Sequence, residues 1–166
     1  MFKYNRVNIY VLTLKDIVKA KVKEFLIEKK GYPEECVIVD YPLRVEVDGK
    51  SFISPIDILI RINGENSINI ECAPPMVLAS LERKALAVSR IIGAPITVVT
   101  DWEQTKIYDT ESGRVTGNTL EALPSYNEIE IRQIRIDEER LLKEKRILFA
   151  YIGVLHCECA VCDLKF

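Results

Sequence analysis

Three strand-like segments in succession, joined by two tight turns, constrain the fold of this chain more than any other feature. The first segment, residues 37–47, reads "VIVDYPLRVEV" and ends at the turn "DGK". The second, residues 51–62, places isoleucine at every other position from 56 onward, and the turn "NGEN" then leads into "SINIECA". Period-two alternation is typical of strands with two distinct faces, and glycine-containing turns join antiparallel neighbours. The sequence therefore predicts a three-stranded antiparallel meander.

Helices and further strands surround this meander. A helix is predicted at 13–30, where Thr13 can act as the N-cap and Gly31 supplies the stop. The segments after the meander are predicted as a helix at 76–92, strands at 95–101 and 104–110, a loop at "ESGRVTGN", and a helix from Asp137 to about Gly153. This order indicates an α/β or α+β fold, a sheet with helices on both faces.

The composition is that of an ordinary globular protein. The chain has 166 residues, 48% of them hydrophobic and 29% charged, and a net charge of −2. This length predicts one domain, with a core at 1–124 and a C-terminal helix and cysteine-containing tail, 125–166, packed on it. The first residues show no signal-peptide pattern, and the longest apolar run, "ILFAYIGVL", is too short to span a bilayer. We therefore expect a cytoplasmic protein with no membrane partner, whose oligomeric state stays open.

Two carboxylates, Asp57 and Glu71, flank the second turn of the meander. A three-residue loop at 63–65 would place them directly opposite each other on one face, whereas a two-residue loop would place them on opposite faces. We expect the first arrangement, with the two carboxylates on neighbouring antiparallel strands and facing the same side. A buried carboxylate pair needs a bound cation or a shared proton, and Mg²⁺ prefers such ligands. The alternative is that each carboxylate pairs with a lysine or arginine at a sheet edge.

Four stretches in order carry a resemblance to a known family: "VKEFLIEKKGYPEECVIVDYP", "PIDILI" with Asp57, "INIECAPP" with Glu71, and "SRIIGAPITVVTDWEQTKIYD". Together they resemble the N-terminal nuclease domain of type I restriction enzyme R subunits, within the PD-(D/E)XK nuclease superfamily. The resemblance implies a restriction-endonuclease-like mixed sheet flanked by helices. It also implies Asp57 and Glu71 as catalytic residues and Mg²⁺ ligands, with DNA as the ligand.

The chain departs from this family at its lysine. The family carries a lysine two residues after the glutamate, and Ala73 stands there. Lys84 borders the apolar stripe of the helix predicted at 76–92, and relocation of the lysine to this helix is known in the superfamily. Lys84 is therefore a candidate catalytic residue. Its alternative is a surface lysine whose stem covers apolar neighbours.

The C-terminal segment "HCECAVC" concentrates soft metal ligands. Cys157, Cys159 and Cys162 could bind Zn²⁺ or an iron–sulfur cluster, with Cys36 as a distant fourth ligand. An early cysteine combined with three C-terminal cysteines resembles the iron–sulfur ligand set of RecB-like CRISPR-associated nucleases. The alternative is that the three cysteines are small buried side chains of a C-terminal strand, because Glu158 alternates with them.

Three functions remain compatible with these residues. The leading hypothesis is a nuclease-fold protein that binds nucleic acid, most readily DNA, with weak or lost cleavage, since Ala73 lacks the family's cation. The second is an active Mg²⁺-dependent endonuclease that uses Asp57, Glu71 and a relocated Lys84. The third is a protein-interaction or regulatory subunit with a protein partner. A basic patch beside the carboxylates would favour nucleic acid, and an apolar patch would favour a protein.

Overall fold

The computed structural model describes residues 3–74 and 78–155, without the side chains of 3–13, 80 and 153–155. In this part of the chain, three α-helices flank one six-stranded sheet. The helices are α1 (Lys3–Glu28), α2 (Leu78–Ile92) and α3 (Glu138–Leu155), and the strands are β1 (Val37–Val47), β2 (Lys50–Ile62), β3 (Glu65–Cys72), β4 (Ile96–Thr100), β5 (Thr105–Asp109) and β6 (Val115–Gly117). Two short 3₁₀ helices lie at Glu34–Cys36 and Leu120–Ala122.

The sheet is mixed, and its strands lie side by side in chain order. Strands β3 and β4 are parallel and are connected through α2, whereas every other neighbouring pair is antiparallel. The predicted meander and the predicted mixed α+β sheet with flanking helices are confirmed, and the architecture is consistent with a restriction-endonuclease-like fold. The loop prediction for "ESGRVTGN" was wrong at β6. This strand is three residues long and mostly exposed, so it leaves no alternation in the sequence.

The residues of β2 contribute to two cores, and strict alternation breaks at Asp57, because Ile56 packs on the α2 and α3 side. Ile58 and Ile60 face α1, and their neighbour Leu59 faces α2 and α3. The α1 side buries Val18, Val22, Leu26, Tyr32, Val37, Ile62, Ile68, Ile70 and Val98 with them. The other side buries Val45, Ala87, Val88 and Leu148. A helical layer therefore covers each face of the sheet, and side chains from both layers can approach the end of β3.

Helix α1 begins at Lys3, ten residues before the predicted start, so Thr13 is an interior residue rather than the N-cap. The segment 3–12 contains no glycine or proline that would stop a helix, although its valines and isoleucine resemble a strand. The predicted end of the helix is confirmed, because Gly31 adopts a φ of +71° that favours glycine.

Helix α2 is held on β3 by a buried amide. Asn69 Nδ2 donates to the carbonyl oxygen of Ala85 at 3.1 Å and to Ser89 Oγ at 3.0 Å. These bonds fix the rotation of α2 about its own axis and hence the directions in which its side chains point. Helix α3 packs on α2 and β1. No helix within residues 3–74 and 78–155 has the length and apolar character needed to cross a membrane.

Candidate active site: two carboxylates and two lysines

The β2–β3 turn has two residues, so the three-residue loop on which the expected pairing relied does not form. Ile62 pairs with Glu65 across the turn. Asn63 and Gly64 both have positive φ, at +51° and +82°, as a type I′ turn requires. Asn-Gly is the preferred dipeptide for that turn, so Glu65 joins β3 instead of the loop. Alone, such a turn would place the two carboxylates on opposite faces.

A β-bulge restores the predicted register. Arg61 pairs with Asn66, but Ile60 pairs with Ile68, so Ser67 is an extra residue in β3. Beyond the bulge each pair is shifted by one, and the continuing register places the two carboxylates directly opposite each other. The prediction that they lie on neighbouring antiparallel strands is therefore confirmed, although the turn that it assumed was wrong.

The pair lies at the buried end of β3. Asp57 is 4% exposed and Glu71 is 1% exposed. The backbone N–H of Cys72 donates to Asp57 Oδ2 at 2.8 Å, which turns the aspartate toward the end of the strand. By the alternation of β3 from Asn69, which bonds α2, Glu71 is on the face that α2 covers. Two acidic groups this deeply buried need cationic partners, because an unpaired buried charge is costly.

Lys84 of α2 supplies one of these partners. Its Nζ donates to Glu71 Oε1 at 2.5 Å, and the residue is only 7% exposed. The interpretation of Lys84 as a surface lysine is therefore wrong. Ala73, two residues after Glu71, is fully buried in a cluster that includes Ala85. The two alanines leave the space beside Glu71 to the Lys84 side chain.

The second partner, Lys15 of α1, was missed in the sequence. Its Nζ lies 3.0 Å from Asp57 Oδ2 and 3.8 Å from Glu71 Oε1, so it bridges both carboxylates. One turn further, Lys19 Nζ lies 4.0 Å from Asp57 Oδ1 but only 2.7 Å from Asp40 Oδ1. The sequence feature that could have indicated them is their i, i+4 spacing, which places both lysines on one side of α1, beside its apolar face.

Burial and mutual repulsion govern the charges in this site. Burial, together with the nearby Glu71 charge, raises the pKa of Asp57, and Lys15 and the Cys72 N–H only partly oppose this. Burial lowers the pKa of Lys15, but the attraction of Glu71 and Asp57 outweighs it, so that pKa is raised. Lys15 therefore stays protonated at neutral pH. With Lys84 it offsets the two carboxylate charges in the absence of metal.

The carboxylates keep unused capacity for a cation. Glu71 Oε2 is buried and has no hydrogen-bond partner among the described residues. An orphaned carboxylate oxygen beside a second carboxylate suits a hard divalent cation such as Mg²⁺, which takes oxygen ligands. The donor set of Asp57 and Glu71 therefore fits Mg²⁺.

An aromatic side chain projects near the same end of the sheet. Trp102 follows β4, whose last residue Thr100 pairs with Cys72. It is partly exposed and has a φ of +83°, which is unusual for a residue other than glycine. Its ring meets Phe25 edge-on, and Lys21 Nζ lies 5.5 Å from the ring centroid. Trp102 is therefore a rim aromatic that borders α1.

The predicted cysteine site cannot be assembled from the described residues. Cys157, Cys159 and Cys162 lie outside them, and Cys36 is a free, partly buried thiol in the first 3₁₀ helix. No cluster of three or more histidine, cysteine, aspartate or glutamate side chains suited to a metal occurs in residues 3–74 and 78–155. The Zn²⁺ or iron–sulfur hypothesis stays a prediction.

Comparison with known proteins places most of this chain in one family. The model of the family described as type I restriction enzyme R protein N terminus (HSDR_N) matches residues 15–124, from Lys15 to the segment that follows β6. An uncharacterized protein of Archaeoglobus fulgidus is 27% identical over 124 residues, which cover 75% of this chain and 86% of that protein. No solved structure matches the chain. Since the family match spans well over half of the sequence, the chain belongs to the family of type I restriction enzyme R protein N termini.

Proposed function

We propose that this protein is a Mg²⁺-dependent nuclease whose active site is formed by Asp57, Glu71 and Lys84. The single observation that carries this proposal is the 2.5 Å contact between Lys84 Nζ and Glu71 Oε1. The hypothesis of weak or lost cleavage rested on Ala73, which removes the family's lysine from β3. Lys84 brings an ammonium to the same carboxylate from α2, and this favours the active enzyme.

Asp57 and Glu71 would hold the metal through their carboxylate oxygens. When bound between them, a divalent ion supplies Lewis-acid activation of a phosphate oxygen and lowers the pKa of a bound water. The buried, unpartnered Glu71 Oε2 supports this assignment, because an oxygen without a donor is a free ligand position. The N–H of Cys72 supports it as well, since it fixes the orientation of Asp57.

Lys84 would balance the charge that develops on the phosphate. Because its stem is buried, the ammonium is held at Glu71 before substrate arrives and needs little reorganisation during the reaction. Loss of one preorganised donor of this kind lowers the rate by about 10²–10³-fold. The lysine can act from α2 as well as from β3, because only the position of its Nζ matters to the phosphate.

The substrate would be nucleic acid, and DNA is the class that the family's description as a restriction enzyme favours. Three lysines approach the carboxylates: Lys15 and Lys19 from α1 and Lys84 from α2. Such a local patch can attract a polyanion although the chain is slightly acidic as a whole. Lys21 and Trp102 extend the same edge with a cation and an aromatic ring.

The test is a cleavage assay on plasmid and single-stranded DNA with Mg²⁺ or Mn²⁺. Wild type should cut, Asp57→Asn should be inactive, and Lys84→Ala should be slower by about 10²-fold or more. Lys106→Ala is the matched control, because Lys106 Nζ also lies 2.5 Å from an α2 glutamate, Glu82, away from the carboxylate pair. Metal-dependent cleavage that Asp57→Asn retains would refute the assignment. Binding without cleavage by wild type would favour the inactive nuclease fold instead.

A further inference from the structure

Within the described residues, Lys15 is the cation that approaches both carboxylates. It lies on α1 and so does not correspond to the family's lysine, which follows the glutamate. We propose that Lys15 competes with the divalent metal for Asp57 and Glu71. In the metal-free protein its ammonium occupies the site, and metal binds only when the Lys15 side chain moves out toward solvent. This inference rests on the proposed function, since it assumes that the carboxylate pair takes a metal.

The distances place the Lys15 ammonium at the same two carboxylates that would hold the metal. A Mg²⁺ ion shared by both carboxylates lies about 2.1 Å from an oxygen of each. The Lys15 ammonium, 3.0 Å from Asp57 Oδ2 and 3.8 Å from Glu71 Oε1, fills the space between the same two groups. Even if both fitted, a divalent ion and an ammonium this close would repel each other strongly in a poorly solvated site.

The exposure of the two lysines assigns them different roles. The side chain of Lys15 is 26% exposed, whereas that of Lys84 is 9% exposed. Lys15 can therefore rotate into water while α1 stays anchored by Val18 and Val22 in the core. Lys84 is confined beside Glu71. The structure thus separates a displaceable cation on α1 from a fixed one on α2.

Displacement would leave the Lys15 ammonium tethered at the mouth of the site. A phosphate group arriving with the metal carries negative charge and can bind the released ammonium there. Nucleic acid should therefore strengthen metal binding, and by linkage the metal should strengthen nucleic-acid binding by the same factor. Lys15 would act as a positioning residue that ties metal binding to the presence of substrate.

The experiment is calorimetric titration of Mn²⁺ into wild type, Lys15→Met, Lys23→Met and Asp57→Asn, without nucleic acid. Methionine keeps the apolar stem of lysine and removes its charge. We expect Lys15→Met to bind Mn²⁺ at least about tenfold more tightly than wild type. Lys23→Met is the matched control on the same helix. Lys23 pairs with Glu34 at 3.0 Å, so its variant should bind like wild type. Asp57→Asn should lose binding.

The outcomes separate this inference from the proposed function. Equal or weaker Mn²⁺ binding by Lys15→Met, with binding lost in Asp57→Asn, overturns the role of Lys15 and leaves the metal site standing. Absence of Mn²⁺ binding in every protein overturns both. Circular dichroism checks that the variants are folded, and Lys15→Gln gives the same comparison if Lys15→Met is not.

Discussion

Moving the lysine from position 84 to position 73 should be tolerated, although each of the two substitutions alone should destabilise the protein. The variants are Ala73→Lys, Lys84→Ala and the double variant. Ala73 is fully buried directly after β3, the strand that carries Glu71, and packs beside Ala85 of α2. A lysine there would point its ammonium at Glu71 through the space that Lys84 now fills.

The structure sets the size of each effect. Ala73→Lys forces a long side chain into a filled cluster, which typically costs 1–3 kcal/mol, and brings a second ammonium near Lys84. Lys84→Ala removes one partner of a buried ion pair, which costs about 3–5 kcal/mol when no other partner remains. Lys15 remains 3.8 Å from Glu71 Oε1, so we expect about 2 kcal/mol for this variant. The double variant restores both the volume and the ion pair.

The assay is urea unfolding of the four proteins, with the free energy of unfolding taken from the midpoint and slope. We expect the double variant to be more stable than the sum of the single variants predicts, with a coupling of about 2 kcal/mol. Additivity within about 0.5 kcal/mol would refute the claim that the two positions serve one ammonium site. If the proposed function is right, the double variant should also recover cleavage that Lys84→Ala has lost.

Two further predictions concern ion pairs outside the site. Glu144→Gln should lower the free energy of unfolding by about 3 kcal/mol in urea, because it leaves two arginines of α2 without their buried carboxylate. Lys143→Ala, an exposed neighbour, should have little effect. Burial raises the pKa of Asp109, but bonds from Ser112 and the ion pair with Arg132 outweigh it and lower that pKa to about 2. The stability that Asp109 contributes is therefore present above its ordinary value of 3.8 and is lost as the pH falls to about 2. The stability advantage of wild type over Asp109→Asn should vanish over that interval in acid unfolding curves.

The meander and the carboxylate pair were predictable because they depend on local patterns. Isoleucine at every other position from Ile56 located the strand, and "NGEN" located its turn, although Ile56 packs in a different core from Ile58. The opposition of Asp57 and Glu71 was predicted correctly through two errors that cancel. The turn is one residue shorter than assumed, and the bulge at Ser67 adds one residue. A bulge depends on sheet twist and tertiary packing, so the serine itself gives no signal.

The lysines were less predictable because they reach the site from two different helices. Lys84 could be placed at the border of an apolar stripe, but its burial depends on Ala73 and Ala85 leaving space on the sheet. Lys15 approaches from α1, whose packing on the opposite face of the sheet is a tertiary property. Sequence patterns within one element do not report contacts between layers.

The central claim is that Asp57 and Glu71 form a divalent metal site beside Lys84, and a crystal grown with Mn²⁺ tests it most directly. The measurement is an anomalous difference map collected near the manganese absorption edge. We expect one strong peak bonded to oxygens of both carboxylates, with Lys84 retained at Glu71 and the Lys15 ammonium displaced toward solvent. A map without a peak at this pair, with Lys15 still bridging Asp57 and Glu71 at saturating Mn²⁺, would contradict it.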